Sequence, residues 1–261
     1  MDLPKFLEKD LNKRPWWHEQ SLEGEPDLND PTLKRFRKQG SRMPDQSEAQ
    51  LREMTAHYYG MISLIDHNVG RIMSQLKEKG LLDETIVIYS SDHGDHLGER
   101  GLYLKGPMLY ESLINVGMIV RGPGIKAGTS ETAPITTLDI AATLCDYAET
   151  SLPDEAQSIS LKGCFGGDAS PHKAVFSEWD VSASRCGVQL DLRTVHRGDA
   201  KLTVELQSGD GELYDLSVDK LEMKNLWNMT EAAELQAQMT ELLWTRPGAE
   251  LTEFDMPVGV A

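Results

Sequence analysis

Two aspartates and two histidines, Asp92, His93, Asp95 and His96, fall within five positions of the run SDHGDHLGERG at 91–101. Carboxylate oxygens and imidazole nitrogens are ligands for divalent cations, so this stretch is a candidate metal site. Asp92 and His93 are adjacent, and Gly94 behind them permits a sharp turn that lets both side chains converge on one ion. The triplet is short, and a turn capped by Asp92 beside a solvated His93 explains the same residues without a metal. Twelve positions after His93, Lys105 stands between Gly101 and the Gly-Pro pair at 106–107. A lone ammonium in a glycine-flanked loop can hold an oxyanion as a point charge, although a solvated lysine fits as well. Asp95 and His96 are expected further out in the loop, with Glu99 and Arg100 as a local ion pair.

These residues need a scaffold, and the flanking sequence predicts one. TIVIY at 85–89 is a short, continuously apolar, β-branched run that suits a strand buried on both faces. The Asp92 loop then lies at the carboxyl end of that strand, where open α/β sheets bind their ligands. Upstream, Ser47 with Gln50 three later forms a capping-box pattern. Apolar residues recur every three or four positions from Leu51 to Leu76, predicting a long amphipathic helix that stops near Gly80. His57, Tyr58 and Tyr59 on it are expected to be packing residues. GMIVRGPG at 117–124 reads as a second strand and TTLDIAATLCDYA at 136–148 as a helix. This alternation predicts an α/β fold with a parallel sheet.

Residues 1–46, with Pro4, Pro15, Pro26, Pro31 and Pro44, read as an irregular leading segment. Trp16, Trp17 and His18 within it either line a substrate mouth or anchor the segment. Residues 47–150 form the α/β part and 151–171 a polar connector. From 172 to 261, AVFSEW, DLRTVHR, AKLTVEL and GELYDL alternate with turn residues, predicting a small antiparallel sheet closed by a helix from Glu231 to Leu243.

Composition sets limits. With 261 residues, 39% of them hydrophobic, the chain can bury a substantial core. Its 42 acidic against 26 basic residues give a formal charge of -16, which repels phosphate backbones and excludes nucleic acid as a natural partner. No run approaches the roughly 18 apolar residues of a spanning helix, so no membrane role is expected and the chain reads as soluble, cytoplasmic or periplasmic. Cys145, Cys164 and Cys186 lack CxxC spacing and are expected to be incidental thiols.

The stretch from YYGMISLIDHNVGRIM through SSDHGDHLGERGLYLKGPMLYESLINVGMIVRGPGI, continued by APITTLDIAATLCDYA and LRTVHRGDAKLTVELQSGDGELYDL, resembles the sulfatase family of the alkaline phosphatase superfamily. The resemblance covers roughly residues 50–245 and implies an alkaline-phosphatase-like parallel or mixed sheet flanked by helices, followed by the small antiparallel subdomain. It implies a sulfuric ester hydrolase in which Asp92 and His93 bind a divalent metal and Lys105 contacts the sulfate of a small-molecule ester. Calcium is the family's usual ion. Histidine after the aspartate is similar to the branch of choline sulfatases and phosphonate monoester hydrolases, and an imidazole nitrogen suits manganese or zinc better than calcium.

The family's nucleophile is a formylglycine made within a CxPSR-like motif, and two consecutive aspartates complete its metal site; neither pattern occurs in these 261 residues. The expectation is therefore the carboxyl-terminal portion of a sulfatase. A phosphonate monoester or phosphodiester hydrolase, or an inert sulfatase-like remnant or binding module, remain the alternatives. Sheet edges and apolar faces left uncovered imply a homo-oligomer or association with a missing amino-terminal half.

Overall fold

A computed structural model describes residues 14–40, 47–181 and 183–246. The leading segment carries two helices, α1 at Trp16–Glu23 and α2 at Pro31–Gly40, joined by an irregular stretch at 24–30, which corrects the expectation of an irregular excursion throughout. Prolines suggest breaks only inside a helix. Pro15 stands just before α1, and Pro31 occupies the first turn of α2, where its missing N–H costs nothing. The Asp30 carboxylate caps α2 by accepting from the amides of Thr32 (2.7 Å) and Leu33 (3.1 Å). Residues 1–13 and 41–46 of that segment lie outside the described residues.

α3 spans Glu48–Glu78 and opens with the expected capping box: the Gln50 amide donates to Ser47 Oγ and the Ser47 amide to Gln50 Oε1. It stops before Gly80, whose positive φ of 70° reverses the chain. At 31 residues it is about 46 Å long. Only Leu51 and Thr55 are buried; Tyr59, Met61, Ile62, Leu64, Ile65 and Ile72 face outward. His57 and Tyr59 are thus exposed rather than packed. Amphipathic periodicity specifies that a stripe exists, not what covers it.

β1 (Val87–Ser90) pairs with β4 (Met118–Arg121) in the register Val87↔Arg121 to Ser90↔Met118. The pair is antiparallel rather than parallel, because the chain between them returns without a crossover helix long enough to span the sheet. Neither strand is buried on both faces: Tyr89 and Ile119 are exposed. Between them lie the two-residue ribbon β2 (His96–Leu97) and β3 (Tyr103–Leu104) and the single turn α4 (Glu111–Ile114). α5 (Asp139–Tyr147) and α6 (Lys162–Gly166) follow. The buried Asp139 carboxylate clips them to the next segment, accepting from the Ile159 amide (2.9 Å) and lying 2.7 Å from His172 Nε2.

The last part is the expected meander. β5 (Val175–Val181), the short α7 (Ala183–Cys186), β6 (Leu190–His196), β7 (Ala200–Glu205) and β8 (Gly211–Asp215) give one antiparallel sheet in the order β5-β6-β7-β8, closed by α8 (Ala233–Leu243). One face carries Val195, Ala200, Leu202 and Leu213 against Met239 and Leu243 of α8. The opposite face carries Leu192 and Tyr214 against Trp17, Leu102, Tyr110 and Leu113. α1 therefore anchors its segment: Trp17 and His18 are fully buried beside Tyr110, whereas Trp16 stays exposed at the rim.

Candidate functional site

The loop from Ser91 to Lys105 leaves β1, and one backbone bond sets its first turn. The Gly94 amide donates to the Leu113 carbonyl (2.7 Å), and a Cβ at Gly94 would fall on the Ser112 carbonyl oxygen, so only glycine fits this approach. The turn leaves Asp92 and His93 at the surface, with Asp92 Oδ2 3.6 Å from His93 Nε2. The Asp92 side chain is 86% and the His93 side chain 34% exposed. The His93 amide donates to Asp92 Oδ1 (3.0 Å), and this bond, helped by the nearby His93 and Lys105 charges, holds the Asp92 carboxyl below its ordinary value.

Lys105 is half-buried and close enough to act on both Asp92 and Asp95. Partial burial pushes the Asp95 carboxyl up, against the pull of His93 and Lys105. The structure thus brings Asp92, His93, Asp95 and Lys105 into one electrostatic neighbourhood. The donor set suits a divalent cation as far as it goes, since an exposed carboxylate and imidazole face the same space. Among the described residues no group of three or more His, Cys, Asp or Glu is arranged to hold a metal, and these two alone would give only two of the roughly four to eight ligands an ion requires.

Two sequence-based readings of the loop are corrected. His96 is not out in the loop but 1% exposed, with Nδ1 2.9 Å from Ser112 Oγ and its ring against Tyr110. Arg100 does not pair with Glu99: its side chain, 4% exposed, lies 4.0 Å from the Tyr110 ring centroid and 3.7 Å from the Glu222 carboxylate, while Glu99 accepts from the Leu97 amide. Sequence reasoning also passed over Glu222, Lys201 and Glu111. Lys201, entirely buried on β7, donates to the Leu109 carbonyl (2.7 Å), contacts Glu222 and lies 3.4 Å from Glu111. Burial alone would raise the Glu111 carboxyl, but the His196 hydrogen bond and the Lys201 charge bring it down to about 2. A lysine in the middle of a strand otherwise dense in apolar and β-branched residues was the available signal.

Burial pulls the His96 imidazole down to about 4, and the charges of Arg100 and Lys201 push the same way. With a folded value below the ordinary 6.5, the unfolded chain binds the proton more readily, so stability falls as pH drops from 6.5 toward 4. The Glu111 contribution, lowered from 4.5, is lost only below that value and changes little between pH 7 and pH 5. Urea unfolding is expected to give a free energy about 2 kcal/mol lower at pH 5 than at pH 7, and His96→Gln is expected to lose that difference. An unchanged pH dependence in His96→Gln would refute the assignment.

The family model described as Sulfatase matches residues 16–150, and that for the N-sulphoglucosamine sulphohydrolase C-terminal region matches 98–247. N-acetylglucosamine-6-O-sulfatase of Bacteroides thetaiotaomicron is 31% identical over 192 residues, covering 71% of this chain and 34% of that protein. Choline-sulfatase of Rhizobium meliloti is 32% identical over 199 residues, 75% of this chain and 37% of that one. The chain therefore spans about a third of the length of these curated relatives. Among solved structures, a putative sulfatase from Bacteroides thetaiotaomicron superposes with a TM-score of 0.76 at 27% identity, covering 94% of this chain and 51% of its own. Phosphonate monoester hydrolase of Agrobacterium radiobacter gives 0.67 at 25%, covering 78% and 43%. With one family model matching the front half and a sulfohydrolase model the rest, this chain belongs to the sulfatase family.

Proposed function

We propose that this chain carries the carboxyl-terminal share of the active site of a metal-dependent sulfuric ester hydrolase. Asp92 and His93 are two ligands of a divalent cation, and Lys105 faces the sulfate group. The observation that carries the reading is that Asp92 and His93 sit side by side on one exposed turn, with the Lys105 charge near enough to help hold the Asp92 carboxylate ionised. Calcium is the first choice of ion, with manganese and zinc as the alternatives that an imidazole ligand favours. When bound, such an ion supplies Lewis acidity at an ester oxygen. Asp92 contributes a carboxylate kept ionised by the His93 amide, and Lys105 offsets negative charge on the bridging or leaving oxygen.

No CxPSR-like motif or Asp-Asp pair lies within the 261 residues, so the formylglycine comes from sequence outside them. The partner that supplies it is the other part of the α/β domain, a reading supported by the outward apolar stripe of α3 and by Tyr89 and Ile119 on the strands. The substrate class is a small sulfate ester, as the names of the sugar and choline sulfatases suggest. No helix among the described residues is long and apolar enough to cross a membrane.

His93 also favours a second reading, hydrolysis of phosphonate monoesters, the class named for the Agrobacterium structure. An aryl sulfate and an aryl phosphonate monoester with the same leaving group separate the two, because only the transferred group changes. With the assembled enzyme, meaning this chain together with the formylglycine-bearing part, kcat/KM is expected to favour the sulfate. A reversed preference transfers the assignment to phosphonate esters, and no turnover of either by an enzyme shown to contain formylglycine leaves the inert module.

A further inference from the structure

We propose that Glu222, acting with Arg100 and Lys201, is a positioning residue that sets where Lys105 stands relative to Asp92 and His93. The inference rests on the reading that these three residues share a cation and sulfate site. The loop that carries them has little structure of its own. Its only ladder is the pair His96↔Leu104 and Leu97↔Tyr103, and four residues near its tip, Gly98, Arg100, Gly101 and Leu104, have φ of 107°, 57°, 75° and 59°. Left-handed backbone at Arg100 and Leu104 persists only when surroundings hold it.

Two routes supply that hold, and both end on Glu222. On the Lys105 side, the Arg100 guanidinium donates to the Leu221 carbonyl, lies against Tyr110 and faces the Glu222 carboxylate. On the Asp92 side, Gly94 and His96 are fixed to Leu113 and Ser112. The segment bearing those two partners is itself tied to Glu222, whose Oε2 accepts from the Glu111 amide at 2.9 Å, and to Lys201, which donates to the Leu109 carbonyl. Glu222 has a left-handed φ of 54° in the turn after β8, and its carboxylate is 1% exposed between Arg100 and Lys201. One buried carboxylate on the meander therefore spans both ends of the site loop. A network that only stabilised the packing would lower the melting temperature when broken, yet leave the separation of Lys105 from His93 unchanged.

Manganese added to the assembled enzyme, with this chain isotope-labelled, provides a direct reading, since the ion broadens backbone amide resonances according to their distance from it. In the wild type, broadening should appear at Asp92 and His93 and extend to Lys105. Arg100→Lys keeps a cation but loses the fork that reaches both Leu221 and Glu222, and Glu222→Gln keeps the shape but loses the charge. In both variants the broadening at Asp92 and His93 is expected to persist, while the ratio of Lys105 to His93 broadening changes by about twofold or more. A wild-type ratio in folded Arg100→Lys overturns the positioning role, and that variant decides the matter if Glu222→Gln does not fold. Absence of broadening at Asp92 and His93 in the wild type overturns the metal reading, and the positioning role with it.

Discussion

Asp92→Ala, introduced into the assembled enzyme, should lower kcat/KM for an aryl sulfate by about 10³-fold or more. The expectation follows from what the side chain supplies. Its carboxylate is exposed, held ionised by the His93 amide, and faces the same space as the His93 imidazole. On the proposed reading, alanine removes one of the two donors from this chain, and an ion left with His93 alone would have no anionic ligand from that turn. Lys105→Ala should cost less, about 10²-fold to 10³-fold, since an ammonium that offsets oxyanion charge acts like one donor of an oxyanion hole. The loss should fall mainly on kcat if Lys105 interacts more strongly in the transition state than with bound substrate. Steady-state rates at saturating metal check both variants, and a wild-type rate in Asp92→Ala would sink the assignment.

Lys201→Met is expected to lower the unfolding free energy by about 3–5 kcal/mol at pH 7. The ammonium is completely buried, and its removal leaves the Glu222 carboxylate, 1% exposed, facing Arg100 and the Glu111 amide without its closest cation, while the Leu109 carbonyl loses its donor. Methionine fills similar volume, so the cost comes from uncompensated charge and not from a cavity. Urea denaturation followed by far-ultraviolet circular dichroism measures it. A change under about 1 kcal/mol would mean that the cluster is hydrated or rearranges freely.

Much of the scaffold was legible because it is encoded locally. Ser47 and Gln50 cap α3 through bonds that span three residues, and the meander is built from neighbouring strands joined by short turns such as Arg197–Gly198. The Asp92–His93 turn could be placed behind β1 from spacing alone. What could not be read depends on distant partners. Arg100 meets Glu222, and Lys201 meets Leu109, across more than 90 intervening positions, so Arg100 beside Glu99 looked like a local pair. His96 reads as a loop residue until Ser112 and Tyr110 enclose it. An apolar run such as TIVIY does not reveal strand direction, since both parallel and antiparallel pairings tolerate it; β4 approaches antiparallel. Prolines at helix starts were mistaken for breakers, because the same residue that ends a helix from within can begin one.

β7 is buried along its whole length, with apolar side chains on one face and Lys201, Thr203 and Glu205 on the other. A sheet strand normally has a permissive side, where drift among polar residues is nearly neutral. This one has none. Its even positions are constrained by the fit against α8 and its odd positions by charge and hydrogen-bond pairing. The mutational tolerance of residues 200–205 should therefore be uniformly low, with opposite preferences at alternate sites: size and apolarity at one, partner chemistry at the next. Sequence variation in this strand would then proceed by coupled changes at Lys201, Glu111 and Glu222, and these three positions would move as a unit.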